Sequence, residues 1–272
     1  DVVAIMDWDT HRYLEAFFAV PMLGSTLHTV NIRLSPSQIA YTIDHAEDDV
    51  ILFHADFIPL LEEVMLKVKR DARLIVMRDT PDIELPHTTL KIEAIFDELF
   101  INTDQYFSFP DFDENTRATT FYTTGTTGNP KAVAYSHRQL VLHTMGILAT
   151  FGPMSANNRF HNRDVYMPIT PMFHVHGWGF PYAATMLGLK QIYPNRYVPS
   201  RILALICEHK VTFSHCVPTI LHMLMDCDTA ASADLSNWKL IIGGSALSRG
   251  LAERALAKGI NLFSAYGLSE TC

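Results

Sequence analysis

The sequence predicts an α/β protein of mostly parallel sheets flanked by helices. Short apolar segments of strand length alternate with helix-period segments over most of the 272 residues. The apolar segments are nearly continuous, which is typical of parallel strands covered on both faces. With 48% hydrophobic and 18% charged residues, the chain can bury a substantial core.

Polar or turn residues bound each predicted element. The strand candidates are residues 50–53, 74–77, 165–169, 211–213 and 240–242. The helix candidates include residues 37–46, 57–68, 200–209 and 249–258. One more helix begins after Ser136, because Ser136 followed three residues later by Gln139 fits a capping box.

The acidic, aromatic stretch 104–115 is the best linker candidate. We therefore expect a first α/β subdomain in residues 1–115 and a second in residues 116–272. Asp1 is not an initiator methionine, and the chain stops just after a loop with candidate functional residues. We expect a segment of a longer protein whose C-terminal domain is absent here.

The charge, the cysteine spacing and the apolar runs of the chain argue against several classes of function. The formal net charge of −8 argues against a nucleic-acid surface, which is usually basic. The four cysteines lack metal-ligand spacing, which favours free thiols in a reducing compartment. No apolar run approaches the roughly 18 residues of a membrane span, and no secretory leader is visible. We expect a cytoplasmic protein without a membrane span.

A Thr/Gly-rich loop is the most informative stretch of the chain. Its candidate phosphate-binding residues are Thr123, Thr124, Gly125, Thr126, Thr127, Gly128 and Lys131. Glycines let backbone N–H groups approach a ligand, and hydroxyls and an ammonium group suit phosphate oxygens. It is not a Walker A loop, because only two residues separate its glycines and Pro130 precedes the lysine. We expect it between a strand at 119–123 and the helix after Ser136; an ordinary glycine turn is the alternative.

Further candidate residues follow other strands. His174, His176 and Trp178 come after the strand at 165–169, where a parallel sheet binds ligands. Gly243, Gly244 and Ser245 follow the strand at 240–242. Tyr266, Gly267, Ser269 and Glu270 follow a further strand. A packed core tryptophan is the alternative for Trp178, and a structural histidine is the alternative for His176.

Together these segments resemble the AMP-forming acyl-adenylating superfamily, which includes acyl- and aryl-CoA ligases, peptide adenylation domains and beetle luciferases. Residues 123–131 are similar to its phosphate loop, 243–245 to its adenine-contacting loop and 266–270 to its Tyr-Gly-x-Thr-Glu motif. Residues 171–178 and 181–185 look most like those of medium- and long-chain fatty acyl-CoA ligases. The resemblance implies an ATP-dependent fatty acid–CoA ligase that forms acyl-AMP and then acyl-CoA.

The resemblance also implies roles for individual residues. The phosphate-loop residues would bind ATP, with Lys131 catalytic, and Tyr266 would stack on adenine beside Gly243, Gly244, Ser245 and Gly267. Ser269 would contact the α-phosphate, and Glu270 with Thr123 would hold Mg²⁺. His174 would position the carboxylate or guard the route of coenzyme A. Trp178 would gate the acyl tunnel, with His176 and Gly244 in the acyl site.

Several alternatives stay open at this stage. The acid could be short, aryl or sulfur-containing, or the protein could be a noncatalytic acyl- or nucleotide-binding relative. Ala132 replaces the usual glycine after the lysine, and we expect strain or crowding there. The segment alone would at best bind nucleotide weakly, and homodimerisation, common among family relatives, is left undecided. Residues 47–49 predict a solvated acidic turn, and His28 and His45 read as surface or satisfied polar residues.

Overall fold

Two sheets of mostly parallel strands carry the fold, which confirms the predicted α/β class. The computed structural model describes residues 1–101, 103, 106–123, 128–155 and 158–271. The chain forms two units, one of Asp1–Trp8 with Arg12–Gln139 and one of Asp9–His11 with Leu140–Cys272. Within the described residues, none of the helices combines the length and apolar character needed to cross a bilayer.

The first unit is built on a seven-stranded sheet of order β5-β4-β3-β1-β2-β6-β7. Its strands are β1 (Val2–Met6), β2 (Thr26–Thr29), β3 (Val50–His54), β4 (Arg73–Met77), β5 (Ile92–Ile95), β6 (Arg117–Thr123) and β7 (Lys131–Ser136). The helices are α1 (His11–Met22), α2 (Pro36–Ala46) and α3 (Ile58–Met65). Only β6 and β7 pair antiparallel among these strands. Ile5, Ile39 and Phe53 are fully buried in its core.

The second unit is built on a five-stranded parallel sheet of order β12-β11-β10-β8-β9. Its strands are β8 (Val165–Pro168), β9 (Lys190–Gln191), β10 (Phe213–Cys216), β11 (Lys239–Ile242) and β12 (Asn261–Ser264). The helical segments are α4 (His137–Phe151), which begins in the first unit, α5 (Val175–Trp178), α6 (Phe180–Met186), α7 (Pro199–His209), α8 (Pro218–Met225) and α9 (Arg249–Ala257). Leu224, Trp238 and Ile242 are buried in the apolar core.

The start of α4 is encoded as predicted. The Ser136 N–H donates to Gln139 Oε1 at 2.8 Å, and the Gln139 N–H donates to Ser136 Oγ at 3.3 Å. This reciprocal pair satisfies two N–H groups that the first helical turn would otherwise leave without partners. The helix therefore begins where the sequence pattern places it.

The Thr/Gly loop does not lead into a helix, so that prediction is wrong. Instead, the loop joins β6 to the antiparallel strand β7, in which Lys131 pairs with Thr123. None of the strands predicted from the sequence covers residues 131–136, which form β7 by pairing with β6. The hairpin also changes the view of Ala132: it lies in β7 opposite Tyr122 and is absent from the positive-φ residues. The expected backbone strain at Ala132 does not occur.

The two units differ from the predicted subdomains. The sequence analysis divided the chain at residue 115, whereas the structural units divide between Gln139 and Leu140. The reason is that β6 pairs with β2 in the first sheet, so the hairpin belongs to the first unit. The stretch 106–115 is an irregular connection within that unit.

The predicted acidic turn at residues 47–49 is only partly solvated. Asp48 is fully buried and its carboxylate lies 2.8 Å from His28 Nδ1. Burial raises the pKa of Asp48, although the adjacent His28 opposes this rise. His45 Nδ1 lies 2.8 Å from the Tyr122 hydroxyl. His45 is thus a satisfied polar residue, whereas His28 lies in the core, where its Nδ1 pairs with Asp48 and its Nε2 has no hydrogen-bond partner among the residues that the structure describes.

Candidate active site

A cavity of about 530 Å³ lies within the second unit, where β11 and β12 end. Its walls are formed by His143, Ile147, Thr150, Phe151, His174, Val175, Trp178, Phe180, Ile241, Gly243, Gly244, Ala265, Tyr266, Gly267, Leu268 and Ser269. Three separate motif segments singled out from the sequence therefore meet around one space. They meet because the carboxyl ends of parallel strands share one edge of a sheet.

A left-handed turn (residues 175–179) carries Trp178 to this cavity. All five residues have positive φ: 50° at Val175, 53° at His176, 59° at Gly177, 57° at Trp178 and 70° at Gly179. Each non-glycine residue in this conformation costs about 1–2 kcal/mol. Such strain persists only where the surrounding structure over-determines it, and it is common at functional sites. Two of its five positions, 177 and 179, are glycines, which adopt positive φ without a steric penalty.

The indole of Trp178 packs on the backbone at the end of β11. A Cβ built on Gly243 would lie 3.1 Å from Trp178 Cη2 and 3.3 Å from the Ala265 carbonyl oxygen. Gly244 has φ of +79°, and a Cβ there would lie 3.0 Å from Val217 Cγ1. Close approach therefore requires a glycine at both positions, and the positive φ is a second reason at Gly244. Trp178 is a half-buried wall residue of the cavity.

The end of β12 supplies the opposite wall. Tyr266 is 89% exposed, so a face of its ring is free to stack on a planar ligand. Gly267 and Ser269 also line the cavity. Ser245 and Glu270 do not appear among the lining residues, although they follow the same two strand ends. Both are exposed.

Helix α4 contributes a wall that sequence reasoning missed. His143, Ile147 and Phe151 line the cavity at four-residue spacing, which places them on one face of the helix. Partial burial lowers the pKa of His143. The i, i+4, i+8 spacing was visible in the sequence, but nothing local indicated which side of α4 faces a ligand.

His176 occupies a different place from the one predicted. Its side chain is fully buried and does not line the cavity, so the structure gives no support to its place in an acyl-binding surface. Burial, with a smaller contribution from the nearby His143, lowers the pKa of His176 to about 3. His174, in contrast, is exposed and lines the cavity directly before the left-handed turn.

A second buried histidine, His215 on β10, lies beneath the turn. The Tyr166 hydroxyl donates to its Nε2 at 2.6 Å, and its Nδ1–H donates to Thr170 Oγ1 at 2.9 Å. Thr170 in turn donates to the His215 carbonyl oxygen at 3.1 Å, which assigns the neutral tautomer. The ring centroid of His215 lies 5.2 Å from that of Trp178. His215 is not among the candidate residues singled out from the sequence, because its partners Tyr166 and Thr170 lie far away along the chain.

The buried neutral imidazole of His215 predicts a loss of stability in acid. Burial lowers its pKa to about 3 from 6.5, so its contribution is complete above pH 6.5 and is lost as the pH falls towards 3. Between pH 7 and pH 5 the unfolding free energy should fall by about 2 kcal/mol for this group. Urea unfolding of His215→Gln should show a pH-dependent loss smaller by that amount than the loss in wild type. Equal losses in wild type and His215→Gln would contradict this assignment.

The hairpin loop lies in the first unit. Thr123 is half-buried at the end of β6, and Lys131 is exposed at the start of β7. Gly128 has φ of 97° and open space around its Cβ position, so its backbone is accessible. The predicted residues Thr124, Gly125, Thr126 and Thr127 lie outside the described residues.

Comparison with known proteins identifies the family of the chain. A family model described as AMP-binding enzyme matches residues 1–272. The chain belongs to the AMP-binding enzyme family. The match covers the hairpin loop of the first unit and the cavity of the second, in agreement with the resemblance seen in the sequence motifs.

Relatives within the AMP-binding enzyme family include a long-chain-fatty-acid–CoA ligase of Thermus thermophilus, 39% identical over 100% of this chain and 48% of its own length. A 3-methylmercaptopropionyl-CoA ligase of Ruegeria pomeroyi is 38% identical over 98% of this chain and 49% of its own. An anthranilate CoA ligase bound to anthranoyl-AMP has the same fold, with a TM-score of 0.84 at 19% identity, over 99% of this chain and 50% of that one. The chain spans about half the length of the curated relatives it matches.

Two candidate residues carry oxygen donors of the kind that bind Mg²⁺. Thr123 and Glu270 offer hydroxyl and carboxylate oxygens, the hard donors that Mg²⁺ prefers. Among the residues that the structure describes, no cluster of three or more His, Cys, Asp or Glu side chains forms a metal-binding group. Mg²⁺ commonly takes one or two carboxylates and completes its shell with substrate phosphates and water, and Glu270 is an exposed carboxylate of that kind.

Proposed function

We propose that the full-length protein activates a medium- or long-chain fatty acid with ATP and transfers the acyl group to coenzyme A. The observation that supports this most is the single cavity lined by His174 and Trp178, Gly243 and Gly244, and Tyr266 and Ser269. These residues come from three segments far apart in the sequence. The family assignment and the CoA ligases among the relatives add support for this chemistry.

In the first step, a carboxylate oxygen of the acid attacks the α-phosphorus of ATP. A new carboxyl–phosphate bond forms, the bond to the β-phosphate oxygen breaks, and pyrophosphate leaves. Both reactants are anions, so the reaction needs cationic and hydrogen-bond donors around the phosphates. We assign the ammonium group of Lys131, the hydroxyls of the hairpin loop and the Ser269 hydroxyl to this task. Tyr266 would stack on the adenine.

We assign Glu270 and Thr123 as the protein ligands of Mg²⁺. When bound, the ion would neutralise charge on the phosphate groups as pyrophosphate departs. The carboxylate of Glu270 is exposed and can reach solvent-side ligands. The assignment rests on donor chemistry and on the match of residues 266–270 to the family motif.

In the second step, the coenzyme A thiolate attacks the acyl carbonyl, the carbonyl–phosphate bond breaks, and AMP leaves. His174 is exposed at the cavity wall, where an imidazole can orient the carboxylate and border the entry of the thiol. We assign it this positioning task. Neutral or charged, its ring N–H is a hydrogen-bond donor.

The cavity wall favours an apolar acyl group. Ile147, Phe151, Trp178, Phe180 and Ile241 offer apolar surface to a hydrocarbon chain. Phe180 packs on Phe160 and Phe151 with ring centroids 5.8 and 5.5 Å apart. A sulfur-containing short acid is the second candidate, because the Ruegeria pomeroyi relative is almost as similar as the Thermus thermophilus one.

An acid panel tests the substrate class. AMP release by the full-length protein with ATP, Mg²⁺ and coenzyme A is measured for straight-chain acids from acetate to palmitate, 3-methylmercaptopropionate and benzoate. We expect the highest kcat/KM for a medium- or long-chain acid, and an altered chain-length preference in Trp178→Ala. A maximum at 3-methylmercaptopropionate or benzoate would replace the fatty-acid assignment. An unchanged preference in Trp178→Ala would remove Trp178 from the acyl site.

A further inference from the structure

Asp9 is a buried carboxylate that none of the sequence motifs includes. It is 3% exposed and is grouped with the second unit, although it lies near the start of the chain. Its Oδ1 accepts a hydrogen bond from the Met172 N–H at 2.9 Å, and its Oδ2 accepts one from the Tyr197 hydroxyl at 2.5 Å. Its backbone carbonyl accepts the Asn195 N–H at 2.9 Å. Asp9 therefore connects two loops of the second unit.

Met172 lies at the start of the segment that contributes His174 and Trp178 to the cavity wall. The chain leaves β8, turns at residues 171–174 with the His174 N–H donating to the Pro171 carbonyl at 2.9 Å, and enters the left-handed turn. The Met172 amide is thus two residues from His174 and six from Trp178. Its hydrogen bond to Asp9 fixes the entry of this segment.

The left-handed turn needs such restraint. Val175, His176 and Trp178 all have positive φ, which is unfavourable for L-residues, and most of all for β-branched Val175. A carboxylate accepts a stronger hydrogen bond than a neutral amide or hydroxyl. Its desolvation is tolerated when its oxygens are satisfied by donors, as they are here by Met172 and Tyr197.

We propose that Asp9 is a positioning residue for the reaction: through the Met172 amide it holds His174 and Trp178 in their places at the cavity. Asp9 itself lines no part of the cavity. The catalytic half of this inference rests on the proposed function, whereas the anchoring half concerns the structure alone. The two halves are measured separately.

Hydrogen exchange by mass spectrometry tests the anchoring on the full-length protein. In Asp9→Ala, amides in residues 172–179 should exchange about tenfold faster than in wild type, because local opening no longer breaks the Met172 bond. Asp164→Asn is the matched control. Asp164 is similarly buried and accepts hydrogen bonds from Lys239 and Thr212. It lies just before β8, whereas Asp9 binds the segment that follows β8. Exchange in residues 172–179 should stay within about twofold of wild type in that control.

Kinetics test the positioning. The KM for the acid should rise about tenfold in Asp9→Ala, because the misplaced wall binds the acyl group less well. Tyr197→Phe removes one donor but keeps the Met172 bond, so its KM should change less than threefold. Asp9→Asn retains an oxygen acceptor and should restore part of the loss. A uniform fall in kcat with unchanged KM for the acid would overturn the positioning claim.

Each outcome bears on a separate part of the inference. Unchanged exchange in Asp9→Ala, or an equal rise in Asp164→Asn, would overturn the anchoring. If Asp9→Ala does not fold, Asp9→Asn is measured in its place, with a rise of about threefold expected because a neutral oxygen accepts a weaker bond; wild-type exchange would then overturn the anchoring. A wild-type protein without ligase activity would contradict the proposed function and leave the exchange result to decide the anchoring.

Discussion

Lys131→Ala should lower kcat/KM for adenylation by about 10²–10³, the largest loss that we expect from one substitution. Removing one preorganised donor to a developing charge typically has this effect. The ammonium group of Lys131 stands exposed at the end of the hairpin that joins β6 and β7. We assign it to the departing pyrophosphate, whose negative charge grows in the transition state. The measurement is steady-state AMP release by the full-length protein at saturating Mg²⁺.

Two variants separate the role of Lys131 from general charge effects. Lys67→Ala removes an equally exposed lysine in the same unit and should leave kcat/KM within about twofold of wild type. Lys131→Arg keeps the charge and should retain more activity than Lys131→Ala. Equal activity in Lys131→Ala and wild type would exclude Lys131 from the phosphate site.

Gly244→Ala should lower kcat/KM by about 10–100-fold while the protein remains folded. Gly244 has φ of +79°, and the added methyl group would lie 3.0 Å from Val217 Cγ1. The loop must shift to relieve this contact, and the shift moves Gly243, which lies against the Trp178 indole. A misplacement of about 1 Å in an active site can cost 10²-fold in rate.

Gly188→Ala is the matched control for this substitution. Gly188 also has a positive φ, +65°, but a Cβ there would meet nothing within 4 Å. Both variants should therefore lose about 1–2 kcal/mol of unfolding free energy from the left-handed backbone. Only Gly244→Ala should lose activity. A similar loss of activity in both variants would show that backbone strain, and not the crowding at Val217, is responsible.

The candidate site was predictable from the sequence wherever local chemistry marks a strand end. Gly243, Tyr266 and Trp178 each follow an apolar strand within a short distance, so the rule for parallel sheets places them at one edge. The capping box at Ser136 was predictable for the same reason, because both partners lie within one helical turn. These features depend on residues that are neighbours in the sequence.

Features that depend on distant partners were not predictable. Asp48 reads as part of an acidic surface turn, yet it is buried, and its carboxyl group pairs with the Nδ1 of His28, twenty residues away. His215 lies in a fully buried strand, and its partner Tyr166 is 49 residues away. Asp9 and Met172 are separated by 163 residues. A single sequence gives no pairing information at such separations.

The hairpin and the left-handed turn were not predicted from the sequence for other reasons. The alternation in residues 131–136 is short, and the antiparallel partner of β7 is needed to recognise it as a strand. In the turn, the glycines at 177 and 179 were visible, but positive φ at Val175, His176 and Trp178 contradicts the intrinsic preference of those residues. Tertiary contacts impose that conformation.

Carboxylate-dependent exchange of pyrophosphate into ATP, measured on the full-length protein without coenzyme A, tests adenylation most directly. The proposed chemistry predicts exchange that requires an acid and Mg²⁺, peaks with medium- or long-chain acids and falls about 10²-fold or more in Lys131→Ala. A folded protein that binds ATP but supports no exchange with any acid would contradict adenylation and favour a noncatalytic nucleotide-binding relative.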